Sequence, residues 1–238
     1  KRMSLSEQPA NALVILTKAP QPGQSKTRLV PPLSYAEAAD LARALLLDQL
    51  QNLAAYDSAR LFIAFTPENA AGFFEGFIAQ GFTCFPQQGQ ALGERMSHAF
   101  EHLFAGGFAN IILIGSDLPT LPVRFFHQAY ACLEKSADVV LGPSDDGGYY
   151  LIGMNQPVPE MFSGMTWSNE RVLEATTERL TQLGVDFGLL PEWFDIDTVE
   201  DLDSLRAISD LSVRDSMQRT LATLQRIGSI GCSSGSLS

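Results

Sequence analysis

The sequence predicts an α/β fold with a mostly parallel β-sheet. Short apolar runs alternate with segments of helical periodicity along most of the chain, and this alternation is typical of βαβ units. The run Asn110–Gly115 (NIILIG) is the clearest strand signal. The chain has 238 residues, 45% of them hydrophobic, so it can bury one large core. We therefore expect a single domain over residues 12–227, with flexible termini at residues 1–11 and 228–238.

The first half of the chain begins with a predicted buried strand at Ala12–Lys18, which ends in a Pro/Gly loop. Ser34 begins the first helix, because Glu37 follows three residues later, as in a capping box. The pattern then predicts strands at Arg60–Phe65 and Phe82–Phe85, and helices from Pro67 to near Gly81 and over Leu92–Phe104.

The second half contains a predicted hairpin. A strand at Asp138–Gly142 and a strand at Tyr149–Gly153 are separated only by the turn Ser144–Gly148, so the sheet is expected to be mixed. The other predicted elements are helices at Pro122–Lys135, Asn169–Leu183, Thr198 to about Ile208 and roughly Val213–Ile227, and a strand at Asp186–Leu190. Thr198 together with Asp201 resembles a second capped helix start.

The charge balance narrows the class of ligand. The formal net charge is −11, which repels nucleic acid and anionic membrane surfaces. No apolar run approaches the roughly 20 residues that cross a bilayer, so we expect a soluble, cytoplasmic protein. A small phosphorylated ligand remains compatible with this charge if a few basic residues converge, or if a divalent cation screens the acids.

A basic loop follows the first strand, at the sheet edge where α/β proteins bind ligands. Three of only 16 basic residues lie here, Lys18, Lys26 and Arg28, and Gly23 allows the backbone to approach phosphate. We predict a phosphate site; the alternative is a solvated loop. The spacing matches neither a Walker loop nor a dinucleotide motif.

Acidic residues follow two other elements. Asp117 comes directly after the strand Asn110–Gly115, and Asp195 and Asp197 precede a helix, where an extended backbone would turn both toward the same side. Carboxylates at such positions can hold Mg²⁺ or Mn²⁺ against phosphate oxygens. The alternative is that these residues cap a turn or a helix.

The hairpin turn is the fourth unusual segment. Asp146, Gly147 and Gly148 allow a tight turn or the close approach of a ligand, and the following Tyr149 and Tyr150 could flank a sugar or pack in the core. A plain hairpin turn explains the glycines almost as well.

Taken in order, these segments resemble a known superfamily. The motifs are KAPQPGQSKTRL, LGERM (Leu92–Met96), GSDLP, GPSDDGGYYLIG, Trp167-Ser168 and DIDTVEDL. Together they are similar to a bacterial family that is named for glycosyltransferase activity and belongs to the nucleotide-diphospho-sugar transferase superfamily. The resemblance spans about Ala12 to Leu205 and extends to the molybdenum-cofactor and phospholactate guanylyltransferases. It implies a three-layer α/β/α, Rossmann-like glycosyltransferase-A fold.

The resemblance also implies roles for individual residues. Donor phosphates would bind Lys18, Gly23, Lys26 and Arg28, with Lys26 catalytic. Asp117 and Asp197 would be the catalytic metal ligands, and Asp195 a further candidate ligand. The remaining substrate-binding candidates are Gly93 and Arg95 near the nucleoside, Trp167, and the turn residues Asp146, Gly147 and Gly148.

The expected reaction is metal-dependent glycosyl transfer from a nucleotide-diphospho-sugar to a small acceptor. Many glycosyltransferases of this fold carry an Asp-x-Asp pair after the central strand, whereas this chain has Gly115, Ser116 and a single Asp117. That departure is closer to the nucleotidyltransferase pattern. The alternative is therefore transfer of a nucleoside monophosphate from a nucleoside triphosphate to a phosphorylated acceptor, with release of pyrophosphate. A third hypothesis is a non-catalytic nucleotide-binding protein.

Overall fold

The computed structural model describes residues 10–167 and 169–233. The chain forms two compact units. The sheet unit contains the described part of residues 1–17 together with Tyr56–Gly115 and Leu121–Phe194, and the helical unit contains residues 18–55, 116–120 and 195–233. Of the termini expected to be flexible, residues 1–11 and 228–238, the parts at 1–9 and 234–238 lie outside the described residues, as does Ser168. The expectation of one domain stays a prediction.

The seven strands in the described part of the chain belong to one sheet. They are β1 (Asn11–Lys18), β2 (Arg60–Thr66), β3 (Phe82–Pro86), β4 (Asn110–Ile114), β5 (Val139–Pro143), β6 (Tyr149–Met154) and β7 (Phe187–Leu189). Within residues 10–167 and 169–233 the α-helices are α1 (Tyr35–Leu53), α2 (Ala71–Phe74), α3 (Leu92–Ala105), α4 (Val123–Lys135), α5 (Val172–Leu183), α6 (Val199–Ala207), α7 (Leu211–Asp215) and α8 (Gln218–Ser233).

The strand order is β3-β2-β1-β4-β6-β5-β7. β1 pairs in parallel with β4, β2 with β3, and β5 with β7. β6 is antiparallel to both of its neighbours, β4 and β5. The predicted hairpin is therefore confirmed, and it is the reason that the sheet is mixed.

Helices cover both faces of the sheet unit. On one face, alternate strand residues such as Val14 and Leu113 pack against Phe100 of α3 and Leu180 of α5. On the other face, Gly153 leaves room for α4, since a Cβ atom there would lie 2.7 Å from Val140 and 3.2 Å from Leu133. The sheet unit is thus a three-layer α/β/α structure, as the sequence predicts.

The helical unit is built on the pairing of α1 with α8. A capping box of Ser34 and Glu37 begins α1, as predicted, because the Ser34 side chain accepts from the Glu37 backbone while Glu37 accepts in return. Asp48 of α1 is buried and receives the Arg219 and Thr220 backbone N–H groups at the start of α8. Its carboxylate thereby serves as the helix cap that α8 lacks in its own sequence.

Two helix predictions are wrong in detail. The segment predicted as one helix from Pro67 to near Gly81 is a series of short 3₁₀ turns around the single-turn α2, because Gly72 and Gly76 weaken helical continuity. The C-terminal helix is divided into α7 and α8, and α8 continues past the predicted end at Ile227 to Ser233. Once a helix is nucleated, the addition of one more residue costs little free energy, so composition predicts the position of a helix end poorly. Over residues 10–167 and 169–233, no helix combines the length and apolar character that a membrane crossing needs.

Replacing Asp48 by Asn should destabilise the protein. The Asp48 carboxylate is 2% exposed and accepts hydrogen bonds from the Arg219 guanidinium at 3.1 Å and the Thr220 hydroxyl at 2.8 Å, besides the two backbone N–H groups. An amide would direct N–H donors at these donors, and breaking a buried charge pair costs about 3–5 kcal/mol. We expect a loss of this order in the free energy of unfolding measured with urea.

The matched control is Asp40→Asn, also on α1. Asp40 pairs with Arg226 of α8 at 2.9 Å, but both side chains are more than half exposed. Such a pair is worth about 0–1 kcal/mol. Equal losses in the two variants would contradict the capping role of Asp48.

Candidate functional site

The basic loop after β1 is shaped by a tight turn. The Gln24 and Ser25 N–H groups donate to the Gln21 carbonyl, and the buried Ser25 hydroxyl accepts from the Gln21 N–H. Gly23 has a φ of 74°, which glycine adopts without strain. Lys26 then adopts a left-handed conformation, with φ 50° and ψ 41°, that is uncommon for a residue with a side chain. The loop thus holds Lys26 in a specific, strained backbone geometry.

The Asp117 loop is held by two polar side chains of α1. The Gln49 side-chain oxygen accepts from the Leu118 N–H at 3.2 Å, and the Asn52 amide donates to the Pro119 carbonyl at 3.0 Å. Gln49 is 3% exposed. The sequence analysis did not identify these positioning residues, although polar residues on the otherwise apolar face of α1 are a usable signal.

Asp197 lies just before α6, where a capping box fixes the backbone. The Asp201 side chain accepts from the N–H groups of Asp197 and Thr198, and the Thr198 hydroxyl accepts from Asp201. The predicted capped start at Thr198 is confirmed. Since Thr198 is the N-cap, the Asp197 carboxylate does not serve as the cap.

Four predicted residues of the helical unit form one ionic cluster. The Lys26 Nζ atom lies 2.7 Å from an Asp117 carboxylate oxygen and 3.1 Å from an Asp197 carboxylate oxygen. The other Asp197 oxygen lies 2.8 Å from an Arg28 guanidinium nitrogen. Three segments that are remote in sequence are therefore joined by charge. We call this group of four side chains the Lys26 cluster.

Burial within the Lys26 cluster is uneven. The Lys26 side chain is 4% exposed, the two carboxylates are each 33% exposed, and Arg28 is 60% exposed. Burial lowers the pKa of the Lys26 ammonium, but the charges of Asp117 and Asp197 outweigh it, so the pKa is raised above 10.5. Lys26 is thus cationic at neutral pH, while the carboxylates and Arg28 remain open to an incoming ligand.

The two carboxylates also fit a divalent cation. Their oxygens converge on a single cation, the Lys26 ammonium, and Mg²⁺ commonly takes one or two protein carboxylates together with water and phosphate oxygens. Among the residues that the structure describes, no group of three or more His, Cys, Asp and Glu side chains is arranged to hold a metal ion. The role of Asp195 as a further ligand beside Asp117 and Asp197 stays a prediction. Lys18 lies at the exposed end of β1, and its role in phosphate binding stays a prediction.

In the sheet unit, the start of α3 is closely packed and hydrogen-bonded to the loop before it. Gly93 is buried beneath the Trp167 indole, which a Cβ atom at Gly93 would meet at 2.6 Å. The Arg95 guanidinium donates to the carbonyls of Gly89 and Gln90, so it organises the loop that leads into α3. Gly93 and Arg95 thus both shape the start of α3, and their contacts with a nucleoside stay predictions.

Gln87 secures the other end of that loop. Its side-chain amide donates to the Thr17 carbonyl near the end of β1 at 3.0 Å and to the Ala64 carbonyl in β2 at 2.7 Å. The sequence analysis did not single out Gln87. A polar residue directly after a strand is the only local signal, and its partners are 70 and 23 residues away.

The turn Ser144–Gly148 is held by its own residues. Asp146 accepts from the Ser144 hydroxyl and the Gly148 N–H, and Gly147 has a φ of 84° with no space for a side chain against the Glu170 backbone. Of the two following tyrosines, Tyr150 is 5% exposed and donates to the Pro191 carbonyl, so it packs in the core. The substrate-binding roles of these turn residues stay predictions.

Comparison with known sequences identifies a family and a curated relative. The family model described as "Uncharacterized protein conserved in bacteria (DUF2064)" matches residues 49–169. The phosphoenolpyruvate guanylyltransferase of Mycobacterium leprae is 30% identical over 110 residues, which is 45% of this chain and 50% of that protein. The chain thus spans about half the length of the curated relatives it matches.

Comparison with solved structures supports the fold. A provisionally named nucleotide-diphospho-sugar transferase from Desulfovibrio desulfuricans G20 is 32% identical, with a TM-score of 0.79 over 92% of this chain and 99% of that one. A cytidylyltransferase from Leptospira borgpetersenii, 14% identical, has a TM-score of 0.58 over 91% of this chain and 97% of that one, and supports the fold alone. With the family match over half of the sequence, these findings show that the chain belongs to the bacterial DUF2064 family, on a fold of the nucleotide-diphospho-sugar transferase type.

Proposed function

We propose that this protein is a metal-dependent nucleotidyltransferase, which moves a nucleoside monophosphate from a nucleoside triphosphate to a small phosphorylated acceptor. The Lys26 cluster carries the proposal. Its two acids come from separate segments rather than from one Asp-x-Asp pair, and its two cations lie beside them. The relatedness to a guanylyltransferase supports the same reaction.

The reaction has a simple balance. An oxygen of the acceptor phosphate attacks the α-phosphorus of the triphosphate, a new phosphorus–oxygen bond forms, and the bond to the β-phosphate oxygen breaks. Pyrophosphate leaves with its electron pair, so negative charge accumulates on the departing group. Preorganised cations at that position stabilise the transition state.

The Lys26 cluster contains groups that can stabilise the negative charge on the departing pyrophosphate. The Lys26 ammonium and the exposed Arg28 guanidinium would bind the phosphates, and Arg28 can present a planar pair of donors to one phosphate. Asp117 and Asp197 would hold Mg²⁺ or Mn²⁺. When bound there, the divalent ion supplies further positive charge against the phosphate oxygens.

Glycosyl transfer from a sugar nucleotide is the second candidate. The Desulfovibrio relative, which matches almost the whole chain, is provisionally named as a nucleotide-diphospho-sugar transferase. The same cluster would then hold the diphosphate of the donor. The two reactions differ in their products, because one releases pyrophosphate and the other a nucleoside diphosphate.

A product assay decides between these reactions. The protein would be incubated with Mg²⁺ or Mn²⁺, each nucleoside triphosphate in turn, and phosphorylated acceptors that include phosphoenolpyruvate. We expect acceptor-dependent pyrophosphate release with one triphosphate. Release of a nucleoside diphosphate from a sugar nucleotide, with no pyrophosphate from any triphosphate, would overturn nucleotidyl transfer.

Asp117→Asn should weaken nucleotide binding in the presence of divalent ions and leave the fold intact. The amide keeps the shape of the side chain but removes a charge that the cation requires. We expect at least about a tenfold loss in affinity, equivalent to about 1.4 kcal/mol, measured by isothermal titration calorimetry with Mn²⁺ present. Asp203→Asn on α6 is the control, since Asp203 is exposed and pairs with Arg206 on the same helix. Undiminished binding in Asp117→Asn would remove Asp117 from the site.

Lys26→Ala and Arg28→Ala should each lower the affinity for nucleoside triphosphate. A hydrogen bond to a charged group contributes about 1.5–3 kcal/mol, so we expect a loss of at least about tenfold in each variant. The control is Arg226→Ala, which removes the same charge from an exposed pair with Asp40. If the two loop variants bind nucleotide as tightly as the control, the basic loop is only structural.

A further inference from the structure

The Lys26 ammonium occupies the position between the two carboxylates that a divalent cation needs. It contacts one oxygen of Asp117 and one oxygen of Asp197, and its side chain is almost fully buried. Two of the three ammonium donors are therefore used on these acids. Without a cation between them, the two partly exposed carboxylates would repel each other. The Lys26 ammonium thus neutralises the two carboxylates, as a bound metal ion would.

The two cations exclude each other. Mg²⁺ binds its oxygen ligands at about 2.0–2.1 Å, whereas the Lys26 Nζ atom is already 2.7 Å from one of the same oxygens. An ion held by Asp117 and Asp197 would therefore lie against the ammonium, with strong repulsion between like charges at short range. The ion can bind both acids only if the lysine side chain moves away.

The backbone constrains where Lys26 can go. Its left-handed conformation is the only positive φ at a non-glycine residue in the described part of the chain. The following turn is anchored by Leu29, which is fully buried, so the movement falls to the side chain. A nucleotide phosphate would supply negative charge to the ammonium in place of the two carboxylates from which it moves away.

We infer that Lys26 is an exchangeable internal cation, which fills the metal position in the free protein and yields it only when its ammonium moves to a nucleotide phosphate. The inference rests on the proposed function and adds a binding order to it. Divalent ion and nucleotide bind cooperatively, and the metal–nucleotide complex is the true substrate. By linkage, each increases the affinity for the other by the same factor.

The test measures Mn²⁺ binding without nucleotide, from the electron paramagnetic resonance signal of free Mn²⁺. The variants are Lys26→Gln, which removes the competing charge, and Arg226→Gln, which removes an equal charge from an exposed pair. We expect weak binding in the wild type, at least about tenfold tighter binding in Lys26→Gln, and wild-type affinity in Arg226→Gln. Equal or weaker binding in Lys26→Gln than in Arg226→Gln would overturn the inference.

Lys26→Arg keeps the measurement informative if Lys26→Gln does not fold. A guanidinium retains the positive charge, so this variant should bind Mn²⁺ as weakly as the wild type, whereas tight binding would contradict competition by charge. Thermal denaturation gives a second readout, in which Mn²⁺ alone should raise the melting temperature of Lys26→Gln more than that of the wild type; an equal rise would count against exchange.

The result is separable from the reaction itself. If Lys26→Gln binds Mn²⁺ tightly and the wild-type protein transfers no nucleotide, cation exchange is supported and the proposed function is overturned. Pyrophosphate release by the wild type with unchanged Mn²⁺ binding in Lys26→Gln leaves the function and overturns the exchange.

Discussion

The ion pairs of Lys26 with Asp117 and Asp197 are the interaction on which the rest of this account depends. One ammonium joins three segments that follow β1, follow β4 and precede α6. Because Lys26 is almost fully buried, its charge must be balanced locally, and the raised pKa shows that the two acids achieve this. Both carboxylates are nevertheless partly exposed, so a structural counterion arrangement is also one that a ligand can reach.

A second set of side chains keeps those charges in position. Gln49 and Asn52 of α1 bind the backbone beside Asp117, and Asp201 binds the backbone of Asp197. None of the three belongs to the ionic cluster. A site made of charged groups requires their backbones to be held close to one geometry. These supporting hydrogen bonds provide that restraint.

Local signals account for the parts of the fold that the sequence predicts well. The capping boxes at Ser34 and Thr198 use residues three positions apart, and both are confirmed. The hairpin is also local, since only a short turn separates its strands. By contrast, the position of β6 between β4 and β5 and the bond from Leu118 to Gln49 depend on pairings across the chain, which periodicity does not encode. Around Gly72 and Gly76, short 3₁₀ turns replace the continuous helix that the apolar pattern predicted.

The site was predictable in its members but not in its arrangement. Residue type singled out all four side chains, together with the position of Lys26, Arg28 and Asp117 after strands and of Asp197 just before a helix. The direct contact of Lys26 with both acids was not foreseen, since sequence alone assigns the lysine to phosphate and the acids to metal.

The most direct test is a crystal structure with Mn²⁺ and a non-hydrolysable nucleoside triphosphate, in which anomalous scattering locates the metal. We expect Mn²⁺ bound by oxygens of Asp117 and Asp197, and the Lys26 ammonium on a phosphate oxygen. Mn²⁺ bound elsewhere, or Lys26 still between the two carboxylates with nucleotide bound, would contradict it.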